Sequence, residues 1–222
     1  YEAFTGIPAD QLIGKTVHEI APDDLAQDQA LFKQPGQQIY EGAVIFADGS
    51  RHDVIFRKNT FVNHEGQLSG LIGVMLDITE RKRMEEQIKH MAQHDTLTGL
   101  PNRNLLQDRY QQCCRRAERE QRQFAILMMD LDGFKTVNDT LGHDRGDQLL
   151  QQVANRLEQC IRRIDTICRL GGDEFIMLLG ELHQREDATR VAETVLRTLN
   201  QPFILESEQI ARIGVSIGIS LY

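Results

Sequence analysis

Two apolar runs in this chain end in carboxylates, and that pairing restricts the fold and the chemistry more than any other feature. The stretch Arg169-Leu170-Gly171-Gly172-Asp173-Glu174-Phe175-Ile176-Met177 reads as strand, two-glycine turn, strand, with Ile167 to Leu170 and Phe175 to Leu179 as apolar arms. Asp173 and Glu174 sit at its tip. Upstream, Phe124-Ala125-Ile126-Leu127-Met128-Met129 reads as a buried strand that runs into Asp130-Leu131-Asp132. If the two strands are sheet neighbours, Asp130 meets Asp173 and Glu174 at one edge. Clustered carboxylates of this kind suit a hard divalent cation, and two such cations suit a nucleoside triphosphate.

The intervening order supports one sheet. Residues 105–120 read as a charged helix, 124–131 as a strand and 134–140 as a short helical turn ended by Gly142. Residues 148–161 carry Leu149, Leu150, Val153, Leu157 and Ile161 on one helical face. After the hairpin, 185–199 repeats the pattern with Ala188, Val191, Ala192, Val195 and Leu199, and 210–221 reads as a final strand. The order β-α-β-β-α-β predicts a ferredoxin-like sheet with helices on one face. The fold class is therefore α+β.

The spacing of Asp130, Asn138, Gly142-His143-Asp144, Gly146-Asp147 and Gly171 to Phe175 closely resembles the GGDEF domain of diguanylate cyclases. The flanking DLDGFKTVNDTLGHDRGDQLL and the upstream HDTLTGLPNR match as well. The resemblance implies a nucleotidyl-cyclase fold and the condensation of two GTP into cyclic di-GMP with release of pyrophosphate. It implies that Asp130, the backbone carbonyl of Leu131, Asp173 and Glu174 hold Mg²⁺, with Mn²⁺ as the alternative. Asp173 or Glu174 would take the attacking hydroxyl proton. Asn138 and Asp147 would bind guanine, His143 would lie against the nucleoside, and the Gly133-Phe134-Lys135 turn would face the phosphates. Arg162 and Asp165 stand where the family places an inhibitory product site. The family's basic triphosphate contact, in a helix after the last strand, falls beyond Tyr222. A second reading stays open, in which the domain senses GTP or cyclic di-GMP without catalysis and regulates a downstream phosphodiesterase domain. Gln201-Pro202-Phe203 and Ser216 to Ser220 resemble versions fused to such an EAL domain.

Residues 1–80 read differently. Short helices to about Phe32 precede three strand-like runs: 38–47 closed by Asp48-Gly49, 51–62 with Val54, Phe56 and Lys58 on one face, and 68–78. These, with Asp77-Ile78-Thr79-Glu80-Arg81, resemble the C-terminal part of a PAS sensor domain that is N-terminally incomplete. Its ligand is not legible. His18, His52 and His64 read as surface or capping residues rather than haem ligands, and the absence of cysteine before Cys113 argues against a flavin adduct.

Residues 81–94 read as a helical linker. Met84, Ile88 and Met91 form an a/d seam, and Glu85 and Lys89 form an i,i+4 pair. A dimeric coiled coil and a helix packed on its own domain both satisfy this pattern. Residues 95–222 form the GGDEF segment, C-terminally incomplete. The expected assembly is a homodimer through linker and PAS segment, each half binding one GTP, with cyclic di-GMP as product and feedback inhibitor.

A net charge of −8 on 222 residues argues against binding of nucleic acid polymers. No apolar run approaches a membrane span, so the expected location is cytoplasmic, with any anchor outside these residues. Cys113, Cys114, Cys160 and Cys168 lack metal-site spacing and read as reduced thiols.

Overall fold

The computed structural model describes residues 6–13 and 25–222. His18 and the helical turns expected between 14 and 24 lie outside the described residues. The chain divides into two compact units, Tyr1–Gln87 and Ile88–Tyr222.

In the first unit, α1 (Ala9–Leu12) and α2 (Leu25–Lys33) precede a meander of β1 (Gln37–Ile45), β2 (Arg51–Val62) and β3 (Leu68–Asp77). The sheet order is β1-β2-β3, both pairs antiparallel. Strand alternation separates two faces. One face carries Val54, fully buried, and Lys58, whose Nζ lies 2.6 Å from Asp28 Oδ1 on α2. Lys58 also stands 5.7 Å from the ring centroids of Tyr40 and Phe56, which stack on each other. Burying the ammonium is tolerable here because a carboxylate and two ring faces replace part of its hydration. The other face leaves Ile39, Ile45, Ile72, Val74 and Leu76 exposed.

The helix α3 (Thr79–Gln93) covers the expected linker and begins earlier than residue 81. Asp77 accepts the Thr79 amide at 2.8 Å and so caps the start. Met84, Ile88 and Met91 are exposed along it. The i,i+4 pair observed is Arg81–Glu85 at 2.7 Å, not Glu85–Lys89, because Glu85 is engaged from its N-terminal side.

In the second unit, α4 (Arg103–Glu120) is capped by the Asn102 side chain, which accepts from the amides of Asn104 and Leu105. There follow β4 (Gln123–Asp130), α5 (Phe134–Leu141), α6 (His143–Glu158), β5 (Thr166–Gly171), β6 (Glu174–Leu182), α7 (Glu186–Leu199), β7 (Phe203–Ile204), β8 (Ile210–Ala211) and β9 (Ser216–Leu221). The main sheet runs β5-β6-β4-β9, the ferredoxin-like order, with every pair antiparallel. The two helices of the β-α-β-β-α-β unit share one face, as expected. Leu149, Leu150, Val153 and Leu157 of α6 and Ala188, Ala192, Val195 and Leu199 of α7 join Ala125, Leu127, Met129, Phe175 and Met177 in one buried cluster. Each large apolar side chain fully buried this way contributes about 1.5–3 kcal/mol. The opposite face is not bare: Ala117 of α4 packs on Phe124 and Leu178.

Two expectations need correction. The helix expected over 148–161 spans His143–Glu158: it starts earlier, since Gly142 and Gly146 resemble loop residues in sequence but serve as helix start and close-packing position, and it stops before Ile161. The run 210–221 is two strands, not one. Ile210–Ala211 pairs with Phe203–Ile204 in a separate hairpin, and only Ser216–Leu221 enters the main sheet, with Gly214 in the break.

Candidate active site

The main sheet brings the two acidic tips together. Asp130, last in β4, is the register partner of Glu174, first in β6, and of Ser216 in β9. The Leu131 amide donates to the Asp173 carbonyl at 3.3 Å. Gly171 and Gly172 adopt φ of 141° and 56°, left-handed values that favour glycine, and so let the turn close behind the carboxylates. Among the described residues, the Asp130, Asp173 and Glu174 carboxylates make no side-chain hydrogen bond or ion pair. Three acceptor-only groups left without protein donors at one sheet edge form a hard oxygen set, which fits Mg²⁺ in chemistry. Their side chains are not drawn together: no group of three His, Cys, Asp or Glu among the described residues converges closely enough to hold an ion.

Asp132, the other acid of the tip, turns away. Its Oδ1 accepts the Ser216 hydroxyl at 2.9 Å, and its backbone exchanges two hydrogen bonds with Gly214. Phe134 is buried, and its amide donates to the Leu131 carbonyl at 3.3 Å, closing the turn after Asp130. Gly133 there has φ 84°. Lys135 is exposed and makes no ion pair among the described residues.

Asn138 on α5 faces the first turns of α6. A Cβ on Gly146 would lie 1.8 Å from Asn138 Oδ1, so this position must be glycine for the amide to sit where it does. That Oδ1 is buried without a hydrogen-bond partner, a costly state that a ligand donor would relieve. Asp147 and His143 are exposed on the same α6 terminus.

Sequence reasoning missed the brace under this edge. Arg169 is buried within β5, donates Nε and Nη2 to the Gly172 carbonyl at 3.0 and 2.8 Å, and places Nη1 2.9 Å from Asp95 Oδ1. The same Asp95 oxygen accepts the Thr98 amide and hydroxyl at 2.9 and 2.6 Å. Burial pushes the Asp95 carboxyl up, but the Thr98 and Arg169 donors outweigh it and hold it below the usual carboxylate range. An arginine inside an otherwise apolar strand was the available signal, since a buried guanidinium demands partners.

Arg162 and Asp165 lie apart from this edge. The Arg162 amide donates to Asp165 Oδ2 at 3.0 Å and the Gly180 amide to Oδ1 at 3.0 Å, so Asp165 ties the loop to β6 rather than forming an ion pair with the Arg162 guanidinium. Arg162 lines a cavity of about 420 Å³ with His94, Leu105 and Arg109. A neighbouring groove of about 600 Å³ is lined by Arg109, Arg115, Arg116, Arg119 and Arg163. The cysteines are free, and burial pushes the Cys168 thiol up to about 12, which makes it unreactive.

Residues 92–222 match the family described as the diguanylate cyclase GGDEF domain, and residues 1–83 match the PAS fold. The chain belongs to the GGDEF diguanylate cyclase family. This GGDEF protein is 47% identical over 144 residues to the bifunctional diguanylate cyclase/cyclic di-GMP phosphodiesterase MucR of Pseudomonas aeruginosa, covering 65% of this chain and 21% of MucR. It is 37% identical over 161 residues to the diguanylate cyclase TpbB of the same species, covering 70% of this chain and 37% of TpbB. It thus spans well under half of either relative. The solved GGDEF domain of TpbB superposes with TM-score 0.57 at 40% identity, covering 58% of this chain and 75% of that one. The coiled coil and GGDEF domain of DgcB from Caulobacter crescentus, solved with cyclic di-GMP, superposes with TM-score 0.59 at 28% identity, covering 64% of this chain and 76% of that one. Among the described residues no helix is long and apolar enough to cross a membrane.

Proposed function

We propose that this chain is the PAS-controlled synthetic unit of a diguanylate cyclase. The observation that carries the reading is the register of Asp130 against Glu174, with Asp173 bonded through its carbonyl to Leu131 and all three carboxylates free of protein donors. Asp130, the Leu131 carbonyl, Asp173 and Glu174 would hold Mg²⁺. When bound, the ion supplies charge neutralisation at the triphosphate.

The chain's own residues do the rest. Asp147 accepts at the guanine edge and the Asn138 amide both accepts and donates there, and the orphaned Asn138 Oδ1 makes a purine lacking the matching donor a poor ligand. His143 lies beside the nucleoside. The Gly133-Phe134-Lys135 turn and the Lys135 ammonium face the phosphates. Asp173 or Glu174 takes the proton of the 3′-hydroxyl as its oxygen bonds to the α-phosphorus of a second GTP and pyrophosphate leaves. Each GGDEF domain holds one GTP, so the GGDEF domains of two chains must face each other. The exposed Met84, Ile88 and Met91 seam of α3 supports a two-stranded contact that lets the PAS unit control that meeting. The arginine-lined groove beside Arg162 suits the anionic product as a feedback inhibitor, with Asp165 shaping its rim.

The test is incubation of the full-length protein with GTP and Mg²⁺, with cyclic di-GMP read by mass spectrometry and Asp173→Ala as control. Product that disappears in the control is expected. Tight Mg²⁺-dependent GTP binding without product would transfer the reading to a nucleotide-sensing module.

A further inference from the structure

The β1–β2 hairpin carries a chain of short hydrogen bonds that reaches the first turn of α3. Ser50 Oγ donates to Asp48 Oδ1 at 2.5 Å and lies 2.7 Å from His52 Nε2. His52 Nδ1 lies 2.7 Å from Asp77 Oδ2. The other Asp77 oxygen accepts the Thr79 amide at 2.8 Å, and Thr79 is the buried first residue of α3. Thr79 Oγ1 accepts the Asp53 amide at 2.9 Å, and the Ile78 amide donates to the Asp53 carbonyl at 2.8 Å, so the same turn is stitched to β2. Phe46 stacks on the imidazole with centroids 3.9 Å apart.

Counting protons decides the state of the ring. The Ser50 hydroxyl has one proton, and Asp48, an acceptor only, takes it. The Ser50 oxygen then faces Nε2 as an acceptor, so Nε2 must carry a proton. Asp77 is also an acceptor only, so Nδ1 must carry one too. The complete network therefore requires the imidazolium. The Ser50 hydroxyl and amide hold the Asp48 carboxyl below its usual range, and those of Thr79 do the same for Asp77. Both acceptors stay ionised where imidazoles titrate, about pH 5–8.

Other charges around the ring are engaged elsewhere. Arg81 faces Glu41 and Glu85, and Lys82 faces Glu41 and Asp53. Arg51 and Asp53 alternate to the opposite strand face from His52. Among the described residues, no Lys or Arg pairs with Asp48 or Asp77.

We propose that Asp48, Ser50, His52 and Asp77 form a proton-operated latch that holds the first turn of α3 to the sheet, making protons an input to this unit. Loss of the ring proton leaves a bare nitrogen against Asp77 or forces Ser50 to turn its proton away from Asp48. Asp77 is the carboxylate that caps Thr79, so its displacement loosens the helix start. The latch is closed when both ring nitrogens of His52 carry protons and open when one of them is bare. Only the step from latch to cyclic di-GMP output rests on the function proposed above.

The test uses the 222-residue chain. Nitrogen NMR of His52 at pH 5.5 should show both ring nitrogens protonated, and amide exchange at Thr79 to Lys82, corrected for intrinsic rate, should lose about tenfold protection by pH 8.5. His52→Gln should flatten that pH dependence, and Ser50→Ala should weaken it. A neutral ring at pH 5.5, or protection flat with pH in the unaltered chain, overturns the latch. Cyclase activity of the full-length protein is then compared with His52→Gln across the same range: matching profiles overturn the latch as an input. A titrating latch in a protein that makes no product at any pH supports the latch and refutes the cyclase reading instead.

Discussion

Replacing Arg169 by alanine tests whether the acidic edge of the main sheet is held from beneath. The guanidinium is 9% exposed, joins Asp95 at 2.9 Å and places two donors on the Gly172 carbonyl. Its removal strips a carboxylate that is only 20% exposed of one donor and leaves a turn carbonyl unpaired. Breaking a buried pair costs about 3–5 kcal/mol, and because Thr98 still donates twice to Asp95 the lower end applies, about 3 kcal/mol. For a unit of this size that corresponds to a melting point lowered by roughly 6–12 °C. Differential scanning calorimetry of the unaltered chain, Arg169→Ala, Arg169→Lys and Asp95→Asn would measure it. Lysine should fail to restore stability, since it cannot place two donors on Gly172 and one on Asp95 together. The pH dependence has a definite sign. The Asp95 carboxyl is lowered in the folded chain, so its contribution is present above the unfolded carboxylate range and is lost as pH falls through the folded value. The gap between the unaltered chain and Arg169→Ala should therefore narrow in acid. A melting point within about 1 °C of the unaltered chain at neutral pH, against the several degrees expected from the size scaling, would falsify the brace.

Gly146→Ala should abolish nucleotide binding, because its Cβ would displace Asn138 Oδ1 from 1.8 Å, although alanine favours a helix by about 1 kcal/mol; calorimetric titration with GTP checks this. Arg156 lies 3.7 Å over the Phe203 ring and donates to the carbonyls of Thr198, Gln201 and Pro202, so Arg156→Ala should cost about 2–4 kcal/mol in urea unfolding, with lysine a poor substitute. Ile88→Asp places a charge in the exposed α3 seam and should abolish product formation while leaving GTP binding intact; activity persisting in a monomer verified by ultracentrifugation would refute the dimer requirement.

Particular residues show how far the sequence could be read. The α6 and α7 faces were legible because each repeats apolar residues at helical spacing; the structure buries those positions except Val191, which is half-buried, and Ile161, which is half-buried just past the end of α6. The start of α6 was not, because Gly142 and Gly146 look alike in sequence: one opens the helix and the other makes room for Asn138. Asp130 and Asp132 are also alike in sequence. Only the pairing of β4 with β9 shows that Asp132 is taken up by Ser216 while Asp130 stays free. His52 read as a residue beside a turn, yet its partner Asp77 lies 25 residues away.

Local pattern thus determined which segments become helix or strand, because periodicity acts between near neighbours. It also named the acidic tips, because carboxylates ending apolar strands stand out in any window. Register, and with it the choice between a carboxylate left for a ligand and one spent on the fold, was decided only in tertiary structure. The reason is physical: a side chain's partners across a sheet are set by strand pairing between segments far apart in the chain, and no local window contains both.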